Sequence, residues 1–169
     1  YTLVYTLSLH DALPISGVKP LRLQIVGAPD PRYPEPRELA RALNLDGLIE
    51  WSGAVEGGAL VEAYRRASVF ALPSRYEGFG LTVLEAMACG APVVCTRSSS
   101  LPEVAGEAAL MVDPGSEADL AEALRRVLTD APLADKLRAG GLERAGRFTW
   151  ERAADETLEV YRRLADGTS

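Results

Sequence analysis

A segment near the middle of the chain carries the residue types best suited to bind a ligand. It reads EGFGLTVLE over residues 77–85 and follows a short apolar run. The glycines at positions 78 and 80, where a helix is predicted to begin, leave backbone N–H groups and the positive end of the helix dipole open to an anion. Those features suit a diphosphate, and the side chain of Thr82 adds a hydroxyl group.

Two carboxylates add a second kind of chemistry to this segment. Glu77 precedes the glycines, and Glu85 lies in the second turn of the helix. A carboxylate accepts hydrogen bonds from paired hydroxyl groups, so this pair suits a ligand with hydroxyls on both sides of a diphosphate, as in a nucleotide sugar. The spacing alone is equally compatible with a solvated Glu85 and with Glu77 as a charge favoured by the helix dipole.

Two other phosphate-binding patterns are excluded by the same residues. The segment is not a P-loop, because no Gly-Lys-Ser/Thr sequence follows it. It is not the GxGxxG dinucleotide fingerprint, because Val83 occupies the position of the third glycine. The dinucleotide-binding domain of an oxidoreductase is therefore disfavoured.

The composition limits the remaining function classes. The chain has 169 residues, enough for one domain, and a formal charge of −6 without a Lys/Arg cluster, which argues against a nucleic-acid partner. No apolar run is long enough to span a membrane. Cys89 and Cys95 lack CxxC spacing and a neighbouring histidine, so we expect small buried thiols in a reducing compartment rather than a zinc site.

Short apolar strands alternate with helices along the chain. Because such strands are typical of a parallel sheet covered on both faces, the pattern predicts an α/β fold with a Rossmann-like, doubly wound sheet. Ligands of such sheets bind at the carboxyl ends of the strands. The predicted strands are Leu21–Val26, Leu48–Trp51, Val69–Leu72, Pro92–Cys95 and Ala109–Val112; the predicted helices are Pro36–Leu43, Ala59–Ala67, Gly80–Cys89, a short turn at Leu101–Glu103, Leu133–Ala145, and helices capped by Ser116 and Thr149.

The first residues of the chain have a different character. TLSLHDALPIS, within residues 1–16, resembles one reading frame of a common sequencing-library adapter. We therefore expect residues 1–16 to be artefactual and 17–169 to form the domain, with its sheet incomplete at the N-terminus. The single histidine, His10, belongs to the first segment. The alternative is that Tyr1–Leu9 forms a strand, since its threonines and valine have high β-propensity.

The segment LPSRYEGFGLTVLEAMACGAPVV, residues 72–94, resembles the donor-site signature of the family 4 retaining glycosyltransferases. These group 1 type enzymes have two Rossmann-like domains in the GT-B architecture. The resemblance extends from about Leu21 to Leu164 and implies that the chain is the C-terminal, donor-binding domain. It also includes residues 52–55, 63–67, 99–104 and 112–114.

The resemblance implies a role for each residue that matches the signature. Glu77 would hold hydroxyls of the donor sugar at the catalytic centre, and Glu85 would accept the ribose hydroxyls. The base would meet the loop at Val55 and Glu56, mainly through backbone atoms. Backbone groups for the sugar and the distal phosphate would come from Gly78, Phe79, Gly80, Leu81 and Thr82.

The implied reaction transfers a sugar, with retention, from a nucleotide-diphosphate sugar of the GDP-mannose or UDP-sugar class. Front-face attack is the expected route, and no metal or other cofactor is expected, because helix dipoles and basic side chains stabilise the leaving diphosphate. An acceptor glycan, lipid or small molecule would bind the other, N-terminal domain. That domain would also provide any peripheral contact with the inner membrane face of an otherwise cytoplasmic enzyme.

One departure from the family pattern concerns the pyrophosphate. The family's Gly-Arg loop and downstream lysine, which grip this group, would lie just before Gly17. Arg22, Arg32 and Arg75 do not replace them convincingly. We therefore expect the chain by itself to be inactive and poorly stable.

Two alternatives to a family 4 transferase remain. One is another GT-B enzyme, such as a nucleotide-sugar 2-epimerase or a glycogen synthase-like transferase; the short motif followed by AMACG at residues 86–90 favours family 4. The other is a non-catalytic nucleotide-sugar-binding module, against which the intact pair of Glu77 and Glu85 argues.

Overall fold

The computed structural model describes residues 4–8, 21–28 and 35–167. Within these residues six strands form one sheet in the order β3-β2-β1-β4-β5-β6. The strands are β1 (Val4–Ser8), β2 (Arg22–Val26), β3 (Ile49–Gly53), β4 (Val69–Leu72), β5 (Val93–Thr96) and β6 (Ala109–Val112). The helices are α1 (Glu35–Ala42), α2 (Gly58–Arg66), α3 (Leu81–Ala88), α4 (Leu101–Ala105), α5 (Glu117–Thr129), α6 (Ala131–Ala145) and α7 (Trp150–Ala165), with 3₁₀ turns at Asp46–Leu48 and Gly106–Ala108.

The predicted alternation of strands and helices is confirmed from Leu21 onwards. Every residue of β4 and β5 is buried, as expected of short apolar strands covered on both faces. Phe70 and Leu72 of β4 point to one face, where they pack with α2, α3 and α4. Val69 points to the opposite face and packs with residues of α5 and α6. The sheet therefore has helices on both sides, which is the predicted doubly wound arrangement.

The central strand differs from the prediction of a wholly parallel sheet. Strand β1 lies between β2 and β4 and runs antiparallel to both, with Val4 opposite Val26 and Leu7 opposite Val69. Residues 4–8 thus complete the middle of a sheet that we expected to be incomplete at the N-terminus. The pairs β2–β3, β4–β5 and β5–β6 are parallel. The strand-forming alternative for the first residues thus agrees with the structure at 4–8.

The division of the chain into an artefactual segment, residues 1–16, and a domain, residues 17–169, stays a prediction. A strand's pairing does not reveal the origin of its sequence. His10 and Arg32 lie outside the described residues. Among the described helices, none is both long and apolar enough to cross a membrane.

The helix starts follow the predicted capping residues. The Ser116 hydroxyl accepts a hydrogen bond from the Asp119 backbone N–H at 3.3 Å, and the Thr149 hydroxyl accepts one from Arg152 at 3.1 Å. Each bond satisfies one of the N–H groups that the first turn of a helix leaves without a partner. These caps fix where α5 and α7 begin.

Helix α7 keeps its apolar side in contact with solvent. Leu158, Tyr161 and Leu164 lie three residues apart, which places them on one side of the helix, and all three are exposed, as is Trp150 at 83%. None of the helix's described residues is buried. The packed core therefore ends with α6.

A pair of glycines explains how α6 packs against α3. Gly140 and Gly141 lie inside α6, although glycine disfavours helical backbone. A Cβ at position 141 would lie 3.2 Å from Met87 Cγ and 3.6 Å from its Cα, so the absence of a side chain lets the two helices approach closely. At position 140 a Cβ would meet Ala108 at 3.6 Å, an ordinary contact.

We expect opposite effects from substituting these neighbours. Gly140→Ala should raise the free energy of unfolding by about 0.5–1 kcal/mol, because alanine favours the helix and fits the space. Gly141→Val should lower it by about 1–3 kcal/mol, because the larger side chain is forced against Met87. Urea denaturation followed by circular dichroism measures both. Equal changes for the two variants would contradict the close packing of α3 and α6.

Candidate active site

The parallel strands bring their following loops to one edge of the sheet. Strands β2 and β4 are both antiparallel to β1, so they run in the same direction as each other and as their parallel partners. The loops 54–57, 73–80 and 97–100, which follow β3, β4 and β5, therefore open at the same edge. This is the edge at which a doubly wound sheet binds its ligands.

The glycine at position 80 is required for two independent reasons. Its φ is +97°, in the left-handed region that residues with a Cβ adopt at a cost. It is also buried, and a Cβ there would lie 2.7 Å from Leu101 Cδ2, closer than such atoms approach. Gly80 thus lets loop 73–80 turn into α3 while lying directly on α4.

Glu77 is held at both its side chain and its backbone. The residue is half-buried, and its Oε1 accepts a hydrogen bond from the Ser74 hydroxyl at 2.8 Å. The Ser99 hydroxyl accepts from the Glu77 N–H at 2.9 Å and donates to the Glu77 carbonyl at 2.8 Å. Among the described residues, no cation pairs with the carboxylate. It therefore keeps acceptor capacity for a ligand hydroxyl.

Further hydroxyl groups from the loop after β5 bind the same segment. Ser100 donates to the Phe79 carbonyl at 2.8 Å and lies 3.1 Å from the Glu77 carbonyl. Thr96, which is buried, donates to the Ser74 carbonyl at 2.5 Å. Ser98 donates to the carbonyl of Arg75. Side-chain hydroxyls therefore fix loop 73–80 along most of its length.

The backbone N–H groups of residues 78–82 have no acceptor among the described residues. They lie at the N-terminus of α3, where the helix dipole adds partial positive charge. The Thr82 Oγ1 is buried and also lacks a partner within the described part of the chain. The N–H groups of residues 78–82 therefore lie where the glycine spacing predicts an anion-binding turn, and that role stays a prediction.

Glu85 is oriented by a buried tyrosine. The Tyr64 side chain is 1% exposed and packs edge-to-face on Phe70, with ring centroids 5.6 Å apart. Its hydroxyl donates to Glu85 Oε2 at 3.0 Å. Burial, together with the charge of Glu85, raises the pKa of Tyr64 far above its ordinary value, so the phenol stays a neutral donor. Glu85 itself is exposed at the rim of the site.

The predicted base-binding loop lies at the same edge but farther along the sheet. Val55 is half-buried and packs against the core, and Glu56 is exposed. Strands β2 and β1 separate this loop from β4. No hydrogen bond between described residues joins it to residues 77–85. The connection instead runs through α2, which begins after Gly57 and carries Tyr64.

An apolar groove of about 520 Å³ adjoins Glu85. Phe79 and Leu84 line one side, and Phe148 and Trp150 line the other. The rings of Phe79 and Phe148 meet edge-to-face with centroids 6.2 Å apart. The groove thus extends from the predicted anion-binding turn to the start of α7.

The cysteines do not form part of this site. Cys89 and Cys95 are both free thiols. Cys95 is fully buried, as expected, and burial raises its pKa to about 12, which leaves it unreactive near neutral pH. Cys89 is only half-buried, contrary to the expectation that both thiols are buried, because it lies at the exposed end of α3.

Sequence reasoning singled out the acidic and glycine residues but missed the hydroxyl groups that position them. Tyr64, Ser99 and Ser100 fall in segments that carry the family resemblance, at residues 63–67 and 99–104. Their contacts join residues more than twenty positions apart, so spacing along the chain does not reveal them. The available signal is the run of three serines at residues 98–100, which begins three residues after the predicted strand end at Cys95.

Comparisons with known proteins place this chain in a family. The profile described as glycosyl transferases group 1 matches residues 6–144. The O-antigen chain mannosyltransferase B of Escherichia coli is 40% identical over 119 residues, which cover 70% of this chain and 31% of that protein. The chain therefore spans about a third of the length of this curated relative.

Solved structures share the fold. Sucrose-phosphate synthase from Thermosynechococcus elongatus superposes with a TM-score of 0.76 at 33% identity, covering 85% of this chain and 38% of that one. HepE of Anabaena, solved in complex with UDP-glucose, has a TM-score of 0.72 at 21% identity over 81% of this chain and 40% of its own. The chain belongs to the group 1 glycosyltransferase family and has the fold of a GT-B domain.

Replacement of Gly80 should damage the fold rather than only the site. We expect Gly80→Ala to lower the free energy of unfolding by about 2–4 kcal/mol, because it adds left-handed strain and a clash with Leu101. Gly78→Ala is the matched control, since a Cβ there meets nothing within 4 Å. Thermal melting of both variants measures the difference. A Gly80→Ala chain that melts with the control would contradict the close contact.

Replacement of Tyr64 by phenylalanine should have a pH-dependent effect. Near neutral pH, we expect Tyr64→Phe to lower the free energy of unfolding by about 0.5–1.5 kcal/mol through the lost hydrogen bond. The pKa of Tyr64 is raised above 10.0 by folding, so above that pH the unfolded chain loses the proton first. The free energy of unfolding of the original chain therefore falls as the pH rises past 10.0. The Tyr64→Phe variant has no hydroxyl at this position, so it does not show this part of the decrease.

Urea denaturation at neutral and alkaline pH measures this difference between the two chains. The other tyrosines are common to both, so their titration cancels. A difference that stays constant across the alkaline range would contradict the buried, neutral state of Tyr64.

Proposed function

We propose that this chain binds the nucleotide-sugar donor, of the GDP-mannose or UDP-sugar class, for a retaining glycosyl transfer. One observation carries the proposal: a row of N–H groups at the start of α3, without acceptors in the described part of the chain, lies between two carboxylates, Glu77 and Glu85. Such a row suits a diphosphate, and the carboxylates suit the hydroxyls of the sugars attached to its two ends.

The ribose is assigned to Glu85. This carboxylate is exposed, and one of its oxygens is held by the neutral hydroxyl of Tyr64. A fixed carboxylate accepts the two neighbouring ribose hydroxyls with little loss of side-chain freedom. The base then extends towards α2 and the preceding loop, where Val55 and Glu56 were predicted to meet it.

The transferred sugar is assigned to Glu77. Its carboxylate is half-buried, bound by the Ser74 hydroxyl, and free of a cationic partner among the described residues. Hydrogen bonds from sugar hydroxyls to a charged acceptor are stronger than those between neutral groups, which favours accurate placement of the reacting carbon. Glu77 is therefore the proposed catalytic residue, acting by contact with the donor sugar.

The proposed chemistry needs no resident metal. When the sugar–phosphate bond breaks, negative charge grows on the departing diphosphate. The N–H groups of residues 78–82 and the dipole of α3 face that charge and stabilise it without reorganisation. The acceptor hydroxyl approaches the face that the diphosphate leaves, which retains the configuration at the sugar carbon.

The acceptor is assigned to a second domain. The chain spans 31% of the length of its mannosyltransferase relative and 38% of the sucrose-phosphate synthase chain, so most of each such protein lies outside the matched region. A glycan, lipid or small-molecule acceptor would bind there. The same domain would provide any peripheral membrane contact of a cytoplasmic enzyme.

Two isosteric substitutions separate the roles of the carboxylates. Glu77→Gln should weaken binding of a nucleotide sugar by about tenfold and leave its nucleoside diphosphate unaffected, because only the sugar loses a charged acceptor. Glu85→Gln should weaken both by a similar factor and leave the 2′,3′-dideoxy nucleotide unaffected. Titration of the chain with UDP, GDP and ADP, with their sugars and with their 2′,3′-dideoxy analogues, each with and without EDTA, measures these affinities.

Each variant serves as the control for the other, since each removes one negative charge from the same site: Glu77→Gln from loop 73–80 and Glu85→Gln from α3. If each variant weakens binding of all the ligands equally, or of none, the assignment of the transferred sugar to Glu77 and of the ribose to Glu85 is wrong. Loss of binding on addition of EDTA would contradict the metal-free proposal.

A further inference from the structure

We infer that Ser99 and Ser100 are positioning residues that turn the anion-binding N–H groups of loop 73–80 towards the donor. This inference rests on the proposed function of the same site. The two neutral side chains belong to loop 97–100, which follows β5. They orient backbone N–H groups of loop 73–80 that bind the ligand. Neither residue needs to touch the donor for this.

The geometry of the peptide bond supplies the first step. In a planar trans peptide the C=O and the following N–H point in opposite directions. The Glu77 carbonyl accepts a hydrogen bond from Ser99, and the Phe79 carbonyl accepts one from Ser100. The N–H groups of Gly78 and Gly80 must therefore point away from the serines.

The second step is that these N–H groups are available to donate hydrogen bonds to a ligand. Neither the Gly78 N–H nor the Gly80 N–H has an acceptor among the described residues. The intervening Phe79 is partly exposed, and the residues on both sides of this turn are glycines, which by themselves allow many peptide orientations. Without the serine hydrogen bonds, the Glu77–Gly78 and Phe79–Gly80 peptides would sample orientations in which their carbonyl oxygens face the anion.

The backbone of Ser99 provides an independent sign of function. Its φ is +45°, in the left-handed region, where non-glycine residues are uncommon. A residue that persists in a strained conformation is held there by its surroundings, and such residues cluster at functional sites. Here the strain places one hydroxyl within reach of both the N–H and the carbonyl of Glu77.

The experiment compares diphosphate with monophosphate binding. Nuclear magnetic resonance titrations of the ¹⁵N-labelled chain with UDP, GDP and ADP, and with UMP, GMP and AMP, measure affinity and report the Gly78 and Gly80 amide signals directly. We expect Ser100→Ala to weaken binding of the preferred diphosphate roughly fivefold and to leave the monophosphate unchanged, because only the distal phosphate depends on the oriented amides.

Three further variants separate positioning from stability. Ser100→Thr keeps the hydroxyl and should restore diphosphate binding. Ser99→Gly accepts the positive φ but removes the hydroxyl, so it should melt no lower than Ser99→Ala and yet bind the diphosphate as weakly. Ser116→Ala removes the cap of α5, so it should lower the melting temperature without changing diphosphate affinity.

The outcomes distinguish this inference from the proposed function. If Ser100→Ala weakens diphosphate and monophosphate equally, or neither, the positioning role is overturned while nucleotide binding stands. If the original chain binds none of the nucleotides, both the proposed function of the chain and this inference are overturned.

Discussion

The site depends on one close approach, that of loop 73–80 to the segment 97–101 beneath it. Gly80 lies so near Leu101 that no side chain fits between them. Beside this contact, the hydroxyls of Ser99 and Ser100 donate to the carbonyls of Glu77 and Phe79. Together these contacts hold the turn, the start of α3 and the backbone of Glu77 against that segment.

The site is assembled largely from neutral donors around two carboxylates. Tyr64 holds Glu85, and Ser74 holds Glu77, each through a single hydroxyl group. Neutral donors position a carboxylate without cancelling its charge, so the oxygens remain strong acceptors for a ligand's hydroxyls. The two carboxylates are held in place before a ligand binds. Binding therefore loses little further side-chain entropy, because folding has already fixed these side chains.

The sequence predicts most of the fold and the acidic and glycine parts of the site. Apolar runs such as Val69–Leu72 are short and bounded by proline or glycine, so their strands are local properties of the chain. The turn before α3 is similarly local, since glycines and a following, mostly apolar helical segment specify it. These features require no knowledge of distant residues.

Other features depend on contacts that no local pattern contains. The hydroxyls of Tyr64 and Ser100 acquire their partners only when α2, α3 and the loop after β5 are brought together. The direction of β1 is another example, because strand propensity is the same for parallel and antiparallel pairing. The exposure of α7 is a third example. Its amphipathic pattern resembles that of a core-facing helix, but burial depends on whether other elements pack against it, which the local pattern does not contain.

The central position of β1 has a consequence for how the domain opens. All strand-to-strand hydrogen bonding between the β2–β3 pair and the β4–β6 group runs through this one strand. A fluctuation that releases β1 therefore uncouples the two parts of the sheet, and the smaller part becomes a separate unit of local unfolding. Amide hydrogen exchange in β2 and β3 would then report on the anchorage of residues 4–8, while β5, which lies between β4 and β6 in a parallel ladder, would keep its protection.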